Sequence, residues 1–400
     1  MPKEREAVIL SAVRTPIGKF QGALSNVPAP QLGAIAVKAA VERARIDPRD
    51  IEEIIMGNVV QAGEGQAPAR QAGIFGGIPA TVSATTINKV CGSGLKAAMM
   101  SAQAIRAGDA ELFVAGGFES MSRAPYLVSG RMGELKFGNT QMTDALLNDG
   151  LWDPFENWGM GNAAEFIADE YEVTREAMDQ FALQSHQKAV EAQEAGKFRA
   201  EIIPVPIPGR KGEVSVVSMD EGPRRDTSLE SLSKLKPAFK ADGKVTAGNA
   251  SSMNDGASAL VIASRGYAEK NRLAPLARIV GYAQAALEPK FLFAAPAHAI
   301  PKLLRKIGWT LDDVDLIELN EAFAAQVLAD GYALANDGWD WDKVNVNGGA
   351  IALGHPLGAS GARVLTTLLY ALKDRGLHRG IASLCLGGGE AVAMAVELEG

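Results

Sequence analysis

Short apolar stretches alternate with helical stretches at the start of the chain. Ala7–Ser11 and Ile51–Gly57 have the composition of strands, and the alanine-rich stretch Gln31–Ala44 between them has the periodicity of a helix. Strands that alternate with helices in this way are typical of an α/β fold. The hydrophobic pattern therefore predicts an α/β protein.

The same pattern recurs near the other end of the chain. A predicted helix, Ile300–Gly308, precedes the stretch Thr310–Leu319, whose order of charged and apolar residues matches that of Pro48–Met56. The strand-like stretches Glu111–Met121 and Ile381–Glu390 also resemble each other, and glycines follow the apolar residues in both. Repetition of this kind indicates two related halves.

A different kind of sequence separates the two halves. It includes an amphipathic helical stretch, Arg175–Ala195, and a polar run with glycine and proline, Pro204–Arg225. We interpret it as an inserted domain. The predicted domains are an N-terminal half at residues 1–120 that about 246–275 complete, an inserted loop domain at 121–245, and a C-terminal half at 276–400.

Composition and charge exclude several classes of protein. The chain has 400 residues, 47% of them hydrophobic and 22% charged, so it can bury more core than a single typical domain. Its formal net charge of -7 offers no basic surface for a phosphate backbone, and we expect no nucleic-acid partner. The apolar stretches are too short to span a bilayer, and the first residues lack a signal peptide. We therefore expect a cytoplasmic protein without a membrane partner.

Cys91 is the first candidate for chemistry. It lies between a strand-like segment and an alanine- and methionine-rich helical stretch, within the sequence Asn-Lys-Val-Cys-Gly-Ser-Gly. At a helix N-terminus the dipole and the free N–H groups stabilise a thiolate, which lowers the pKa of the thiol and suits a nucleophile. The structural alternative is a buried, inert cysteine, which is common.

His355 is the second candidate. It lies in a glycine-rich loop, Gly-His-Pro-Leu-Gly-Ala-Ser-Gly, that leads into a predicted helix. Its unperturbed pKa of about 6.5 suits a base at neutral pH, although a loop histidine bonded to backbone is the structural alternative. The other three histidines have the surroundings of surface or packing residues: His186, His298 and His378.

Two further positions combine polar groups with the ends of strands. Cys385 ends an apolar strand just before Gly387, and the backbone N–H groups of the glycines there can point at a developing oxyanion. Asn320 follows another strand, in Asn-Glu-Ala-Phe-Ala, where an asparagine that caps a helix is the structural alternative. Cys385 is thus placed as a second reactive thiol.

Together these four motifs, in this order, resemble those of the thiolase family. The likeness extends over essentially the whole chain and includes Val13–Gly18, Gly116–Met121 and Val245–Ser251. The resemblance implies an α/β fold of two related halves in five layers, α-β-α-β-α, with an inserted loop domain. It also implies a homodimer or homotetramer, and the irregular stretch Arg123–Thr143 is our candidate for an arm that contacts another subunit.

The resemblance implies a ping-pong mechanism on coenzyme A thioesters. Cys91 attacks the acyl thioester while His355 takes its proton, and Cys385 then removes a proton from the carbon beside the thioester of a second acetyl-CoA. His355 and a water held by Asn320 stabilise the enolate, while the N–H groups of Cys91 and Gly387 serve the tetrahedral intermediate. No metal is required.

Coenzyme A enters this scheme as substrate and product, and no cofactor is permanently bound. By the same resemblance, Ser251 lies near its pantetheine, Arg224 near its adenine end, and Phe239 helps to line the channel between them. The expected partners are therefore acyl-CoA substrates.

Some segments distinguish between members of the family. Met142–Pro154 and Gly108–Leu112 resemble those of the members that form acetoacetyl-CoA, the acetyl-CoA C-acetyltransferases. Two positions depart from the pattern of those members. Gly159 stands where they often have a histidine, and the pair Leu292-Phe293 stands where they usually have Met-Gly. A 3-ketoacyl-CoA thiolase of fatty-acid breakdown with broader chain length is the alternative in the same class, and a non-catalytic acyl-CoA- or lipid-binding relative is the alternative in another.

Overall fold

The structure, a computed structural model, describes residues 2–130, 137–209 and 213–399. Its strands are β1 (Ala7–Arg14), β2 (Gly18–Lys19), β3 (Glu53–Gly57), β4 (Ser83–Ile87), β5 (Leu112–Ser120), β6 (Tyr126–Leu127), β7 (Thr143–Asp144), β8 (Trp152–Asp153), β9 (Trp158–Gly159), β10 (Val205–Pro208), β11 (Val214–Val217), β12 (Asn254–Ser264), β13 (Ala277–Ala286), β14 (Leu316–Leu319), β15 (Arg379–Leu386) and β16 (Glu390–Leu398). Its α-helices are α1 (Ala29–Ala44), α2 (Pro68–Phe75), α3 (Ser93–Ala107), α4 (Met160–Glu170), α5 (Arg175–Glu194), α6 (Leu229–Ser233), α7 (Arg265–Lys270), α8 (Pro296–Ile307), α9 (Ala324–Ala333), α10 (Ala350–Leu353) and α11 (Leu357–Arg375).

The predicted elements are present, with shifted ends. Strand β1 continues three residues beyond the predicted end to Arg14, because its whole length is buried between neighbouring strands. Helix α8 starts at Pro296, one turn before the predicted start, and runs through Pro301. Its apolar face, which includes Ile300 and Leu303, packs on β13 and β16, so burial of that face outweighs the lost backbone hydrogen bond.

The large sheet has the strand order β14-β15-β16-β13-β1-β12-β5-β3-β4, with β2 beside β12. Its two groups of strands meet at β1 and β13 through only two residue pairs, Val8 with Arg278 and Ile9 with Ala277. The two groups correspond in the order and direction of their strands. In the first group β3 is parallel to β5, and β12 is antiparallel to β5. In the second group β14 is parallel to β15, and β16 is antiparallel to β15. The similar sequence stretches noted above therefore occupy matching strands.

Helices α3 and α11 form the central layer, because each contacts strands of both groups. Helices α1 and α2 cover the outer side of the first group, and α8 covers that of the second, which completes the predicted order α-β-α-β-α. The central helices approach very closely: a Cβ on Gly94 would lie 2.6 Å from the Ala362 nitrogen, and one on Gly361 would lie 2.3 Å from the Leu95 nitrogen. Only glycine fits there, and the N-terminal ends of both helices consequently meet.

The segment between β5 and β12 packs mainly on the second half. A hydrophobic cluster joins α4 and α5 to α9 and to the short 3-10 helix Pro289–Ala294. This segment thus forms a wall over the ends of the central helices, and its limits at residues 121 and 245 stay a prediction. Part of the predicted subunit arm, residues 131–136, lies outside the described residues. In the described part of the chain, no helix has both the length and the hydropathy to cross a membrane.

Candidate active site

A cavity of about 890 Å³ lies where the N-terminal ends of α3 and α11 meet the inserted segment. The predicted residues that line it are Cys91, Arg224, Phe239, Ser251, His355, Cys385 and Gly387. Asn320 is the exception, because it lies buried behind the cavity wall. Residues far apart in the sequence are therefore brought to one site.

The backbone before Cys91 forms a tight turn. Val90 has φ = 46°, a left-handed conformation that is rare for a β-branched residue. The side chain of Asn88 accepts a hydrogen bond from the Val90 nitrogen at 2.9 Å, and the Ser93 hydroxyl accepts one from the Lys89 nitrogen at 2.8 Å. These bonds hold the turn in its strained form, and Cys91 stands one residue before the cap of α3.

The predicted lowering of the Cys91 pKa is wrong. Burial raises the pKa of this thiol to about 12, although its own N–H and that of Gly387 act in the opposite direction. The apolar cluster that packs against the thiol includes Val60, Leu146 and Leu357, and it removes the water that a thiolate needs. Cys91 is thus a neutral thiol that requires a nearby base to become a nucleophile.

His355 is held in an orientation that suits a base. Its backbone N–H donates to Asn254 Oδ1 at 2.9 Å, and its Nδ1 lies 2.6 Å from the Ser360 hydroxyl. That hydroxyl donates its one proton to the Pro356 carbonyl at 2.8 Å, so Nδ1 must carry a proton and donate to Ser360. Nε2 is then the unprotonated nitrogen, and it has no hydrogen-bond partner among the described residues.

Burial also keeps the His355 ring neutral. It lowers the pKa of the imidazole to about 3, and the positive charge of Arg363 acts in the same direction. A histidine with a lowered pKa is uncharged at neutral pH and can accept a proton.

Cys385 is the second-to-last residue of β15 and lines the same cavity. It is buried, and it packs in a cluster with Phe293 and Phe323. Burial raises the pKa of its thiol well above the ordinary value, and the nearby Cys91 and Asp330 add to the effect. The two thiols thus share one site, and each needs a proton acceptor before it can react.

Asn320 does not cap a helix. It follows β14, and α9 starts only at Ala324, after Phe323. Its backbone N–H donates at 3.0 Å to the carbonyl of Ser383, which lies on β15, the strand that carries Cys385. Its Oδ1 accepts a hydrogen bond from Arg363 Nη2 at 3.2 Å. The helix-cap alternative is therefore excluded.

The remaining predicted residues lie towards the mouth of the cavity. The Phe239 ring is half exposed and lies against Gly161, where a Cβ would come within 2.2 Å of it. The Ser251 N–H donates to the Ala322 carbonyl, and the Arg224 N–H donates to Nδ1 of His186. Lys19 and Arg224 bring positive charge to this end of the cavity, which suits a phosphorylated ligand.

Sequence reasoning missed several residues that build the site. Ser360 and Arg363 lie on the first turns of α11. The sequence did contain a signal for Arg363, because it is a lone arginine among the apolar and small residues that begin this helix. Glu119 was missed as well: it accepts hydrogen bonds from Val60 and Gly358, and so ties the wall beside Cys91 to α11. Burial raises the pKa of Glu119 to about 7.

The two positions that depart from the family pattern both line the cavity. Leu292 and Phe293 are buried in its wall. A Cβ on Gly159 would contact only Asn162 Oδ1 at 3.5 Å and the Leu151 carbonyl at 4.0 Å. The wall therefore has room for a side chain at Gly159. Across the described ranges, no group of three or more His, Cys, Asp or Glu side chains is arranged to hold a metal ion.

Comparisons with known proteins agree over nearly the whole chain. Residues 7–266 match the model of the thiolase N-terminal domain, and residues 273–398 match that of the thiolase C-terminal domain. An acetyl-CoA acetyltransferase of Cupriavidus necator is 53% identical over 98% of this chain and 99% of its own. A probable acetyl-CoA acetyltransferase of Escherichia coli is 48% identical, also over 98% and 99%. The crystal structure of the Bacillus anthracis acetyl-CoA acetyltransferase superposes with a TM-score of 0.95, at 44% identity, over 98% of this chain and 99% of that one.

Proposed function

The chain belongs to the thiolase family and is an acyltransferase of it, and from this premise we propose that it condenses two acetyl-CoA molecules to acetoacetyl-CoA and coenzyme A, and catalyses the reverse thiolysis. The observation that carries the proposal is the convergence of Cys91, His355 and Cys385 on one cavity. A neutral thiol beside a neutral imidazole is the arrangement that covalent catalysis by cysteine requires. The relatives named acetyl-CoA acetyltransferase support acetyl groups as the substrate.

In the first half-reaction, Cys91 becomes acylated. Nε2 of His355 takes the thiol proton, and Sγ of Cys91 attacks the carbonyl carbon of acetyl-CoA. The C–S bond to coenzyme A then breaks, and Cys385 gives its proton to the departing sulfur. The products are free coenzyme A, an acetyl group on Cys91, a protonated His355 and a thiolate at Cys385. N–H groups of Cys91 and Gly387 stabilise the oxyanion of the tetrahedral intermediate.

In the second half-reaction, the thiolate of Cys385 removes a proton from the methyl carbon of a second acetyl-CoA. The resulting carbanion attacks the acetyl group on Cys91, and a carbon-carbon bond forms as the bond to Sγ breaks. His355 returns the proton that it held to Cys91. The high pKa of the buried Cys385 thiol supports this role, because a strongly basic thiolate is needed to deprotonate carbon.

The enolate formed in this step also needs stabilisation. We assign this to His355 and to a water held by Asn320, which lies behind the wall rather than on it. Coenzyme A would extend towards the mouth, with Ser251 near the pantetheine, Phe239 beside the channel and Arg224 near the adenine end. The substrates are thus acyl-CoA molecules, and no permanently bound cofactor is part of the scheme.

A broader 3-ketoacyl-CoA thiolase is the second candidate. The room at Gly159 favours it, because a longer acyl group beside Cys91 needs space in the same wall. One methylene in an apolar pocket changes the selectivity between two substrates by only about 1–3 kcal/mol. The acetoacetyl-CoA thiolase and the broader 3-ketoacyl-CoA thiolase therefore differ in degree of chain-length preference. A non-catalytic acyl-CoA-binding protein would need neither the thiols nor the base.

The test is the coenzyme-A-dependent loss of acetoacetyl-CoA enolate absorbance. We expect activity in the wild type, none above background in Cys91→Ala or His355→Ala, and full activity in His298→Ala, a matched control because His298 is exposed on α8. The rate on a longer 3-ketoacyl-CoA chooses between the two thiolases. Wild-type protein that binds acyl-CoA but turns over neither substrate would support the binder instead.

We also propose a homodimer or homotetramer in the cytoplasm. Large apolar side chains around the predicted arm support the assembly, since Tyr126 is 63% and Met142 65% exposed. Light scattering on the purified protein measures the state directly, and a mass of one 42.0 kDa chain would contradict this proposal.

A further inference from the structure

A group of buried polar atoms lies behind the cavity wall without hydrogen-bond partners among the described residues. It comprises both carboxylate oxygens of Glu318, Nδ2 of Asn320, and Nε and Nη1 of Arg363. All three residues are at most 2% exposed. Buried polar groups are almost always paired, so a cluster of this kind requires an explanation beyond packing.

The contact between Arg363 and Asn320 fixes the orientation of an amide. A guanidinium group has donors only, so the atom of Asn320 that faces Nη2 at 3.2 Å must be the oxygen Oδ1. Nδ2 lies on the other edge of the amide plane, and its protons have no acceptor in the part of the chain that the structure describes. Without Arg363, the side chain would be equally able to present oxygen or nitrogen on that edge.

Glu318 holds the other side of Arg363. Its Oε2 lies 3.8 Å from Nη1, which is too long for a direct hydrogen bond but within the range of an electrostatic contact between two buried groups. Arg363 projects from α11, the helix that follows the His355 loop, whereas Glu318 and Asn320 belong to β14 and the residue after it. Arg363 therefore connects the element of the base with the element of the amide.

We infer that Arg363 is a positioning residue, which orients the Asn320 amide so that its NH2 group serves the enolate-forming step. This inference rests on the proposed function of the site. Arg363 does not line the cavity, so its effect on substrate must pass through other residues. Its positive charge also helps to keep the His355 ring neutral, which is consistent with a place beside both groups.

The test is a double-mutant cycle with Asn320. Replacement of Arg363 by methionine should lower kcat by about 10- to 100-fold, the usual effect of losing a residue that orients a functional group. KM should change by less than about threefold, because no contact with substrate is lost. In the Asn320→Ala background, Arg363→Met should lower kcat by less than about twofold, because the amide that it orients is gone. Arg363→Lys, which keeps one donor, should recover part of the rate.

Two controls separate this role from general stability. Arg106→Met removes a partly buried arginine at the far end of α3, remote from the cavity, and should leave kcat unchanged. If Arg363→Met fails to fold, the double variant Glu318→Gln/Arg363→Met replaces it, since neither the buried guanidinium group nor the buried carboxyl group that faces it then remains. Crystal structures of these variants give a readout that does not depend on activity.

The outcomes are distinguishable. Equal losses from Arg363→Met with and without Asn320 would overturn the inference, as would an atomic-resolution crystal structure of Arg363→Met in which the hydrogen-bond partners of Asn320 still place Oδ1 and Nδ2 on their original edges. Inactive wild-type protein would instead contradict the proposed function, and the crystal structure would then decide the inference alone.

Discussion

The turn before Cys91 stores strain that a substitution at Val90 should reveal. A left-handed backbone costs an L-residue about 1–2 kcal/mol, whereas glycine adopts it freely. Glycine in turn loses more backbone entropy on folding than alanine, about 0.5–1 kcal/mol. Subtraction leaves Val90→Gly more stable than Val90→Ala by about 0–1.5 kcal/mol, or about 0.75 kcal/mol from the middle of each range. Both variants lose the two γ-methyl groups of the partly buried valine, and the glycine variant loses Cβ as well, so a second site is needed to isolate the strain.

A matched pair at Val346 provides the control. Val346 is also partly buried against the central core, and its φ is not positive. There the glycine variant should be less stable than the alanine variant by about 0.5–1 kcal/mol. The order of the two variants should thus be opposite at the two sites.

Urea unfolding followed by tryptophan fluorescence is the appropriate assay. The unfolding entropy is about 2.1 cal/mol/K per residue, so a change of 1 kcal/mol in stability shifts the Tm of a 400-residue chain by only about 1 °C. Thermal unfolding would therefore not resolve the two variants. Val90→Gly should also have a lower kcat, because the thiol of Cys91 is then held less firmly. If Val90→Gly unfolds at less urea than Val90→Ala, as expected for the pair at Val346, the turn is not strained and the reasoning is refuted.

Three further outcomes follow from the site. The pKa of His355 in the folded state lies below its value in the unfolded state, so the unfolded state binds the extra proton and stability is lost as pH falls below about 6.5. Between pH 7 and pH 5 the free energy of unfolding of the wild type should therefore fall by about 2 kcal/mol more than that of His355→Gln, as measured by urea titration at each pH. Gly159→Leu should fold normally yet lower the rate on a longer 3-ketoacyl-CoA more than that on acetoacetyl-CoA, and equal losses in paired assays would contradict the assignment of this wall. Gly361→Ala should lose about 1–3 kcal/mol in urea unfolding, because its methyl group would overlap the Leu95 backbone, and unchanged stability would argue against the close helix contact.

Much of the fold and of the site was predictable from local sequence. Strands β3, β5 and β15 are apolar runs that end at glycines or polar residues, and Cys91 and His355 each stand in a glycine-rich loop before a helix. The pKa of Cys91 was not predictable, because the side chains that desolvate it come from other parts of the chain, Val60, Leu146 and Leu357. The position of Asn320 behind the wall likewise depends on how β14 pairs with β15, which a motif does not specify.

The location of the site follows from how the two halves meet. Cys91 stands just before α3 in the first half, and His355 stands just before α11 in the second, so the proposed nucleophile and its proposed base occupy matching loops. These loops face each other only because Gly94 and Gly361 allow the two central helices to touch at their N-terminal ends. The second half supplies Cys385 as well, from the strand that corresponds to β5. The proposed nucleophile, Cys91, and its proposed base, His355, come from different halves, and the proposed chemistry therefore arises only at the interface between them.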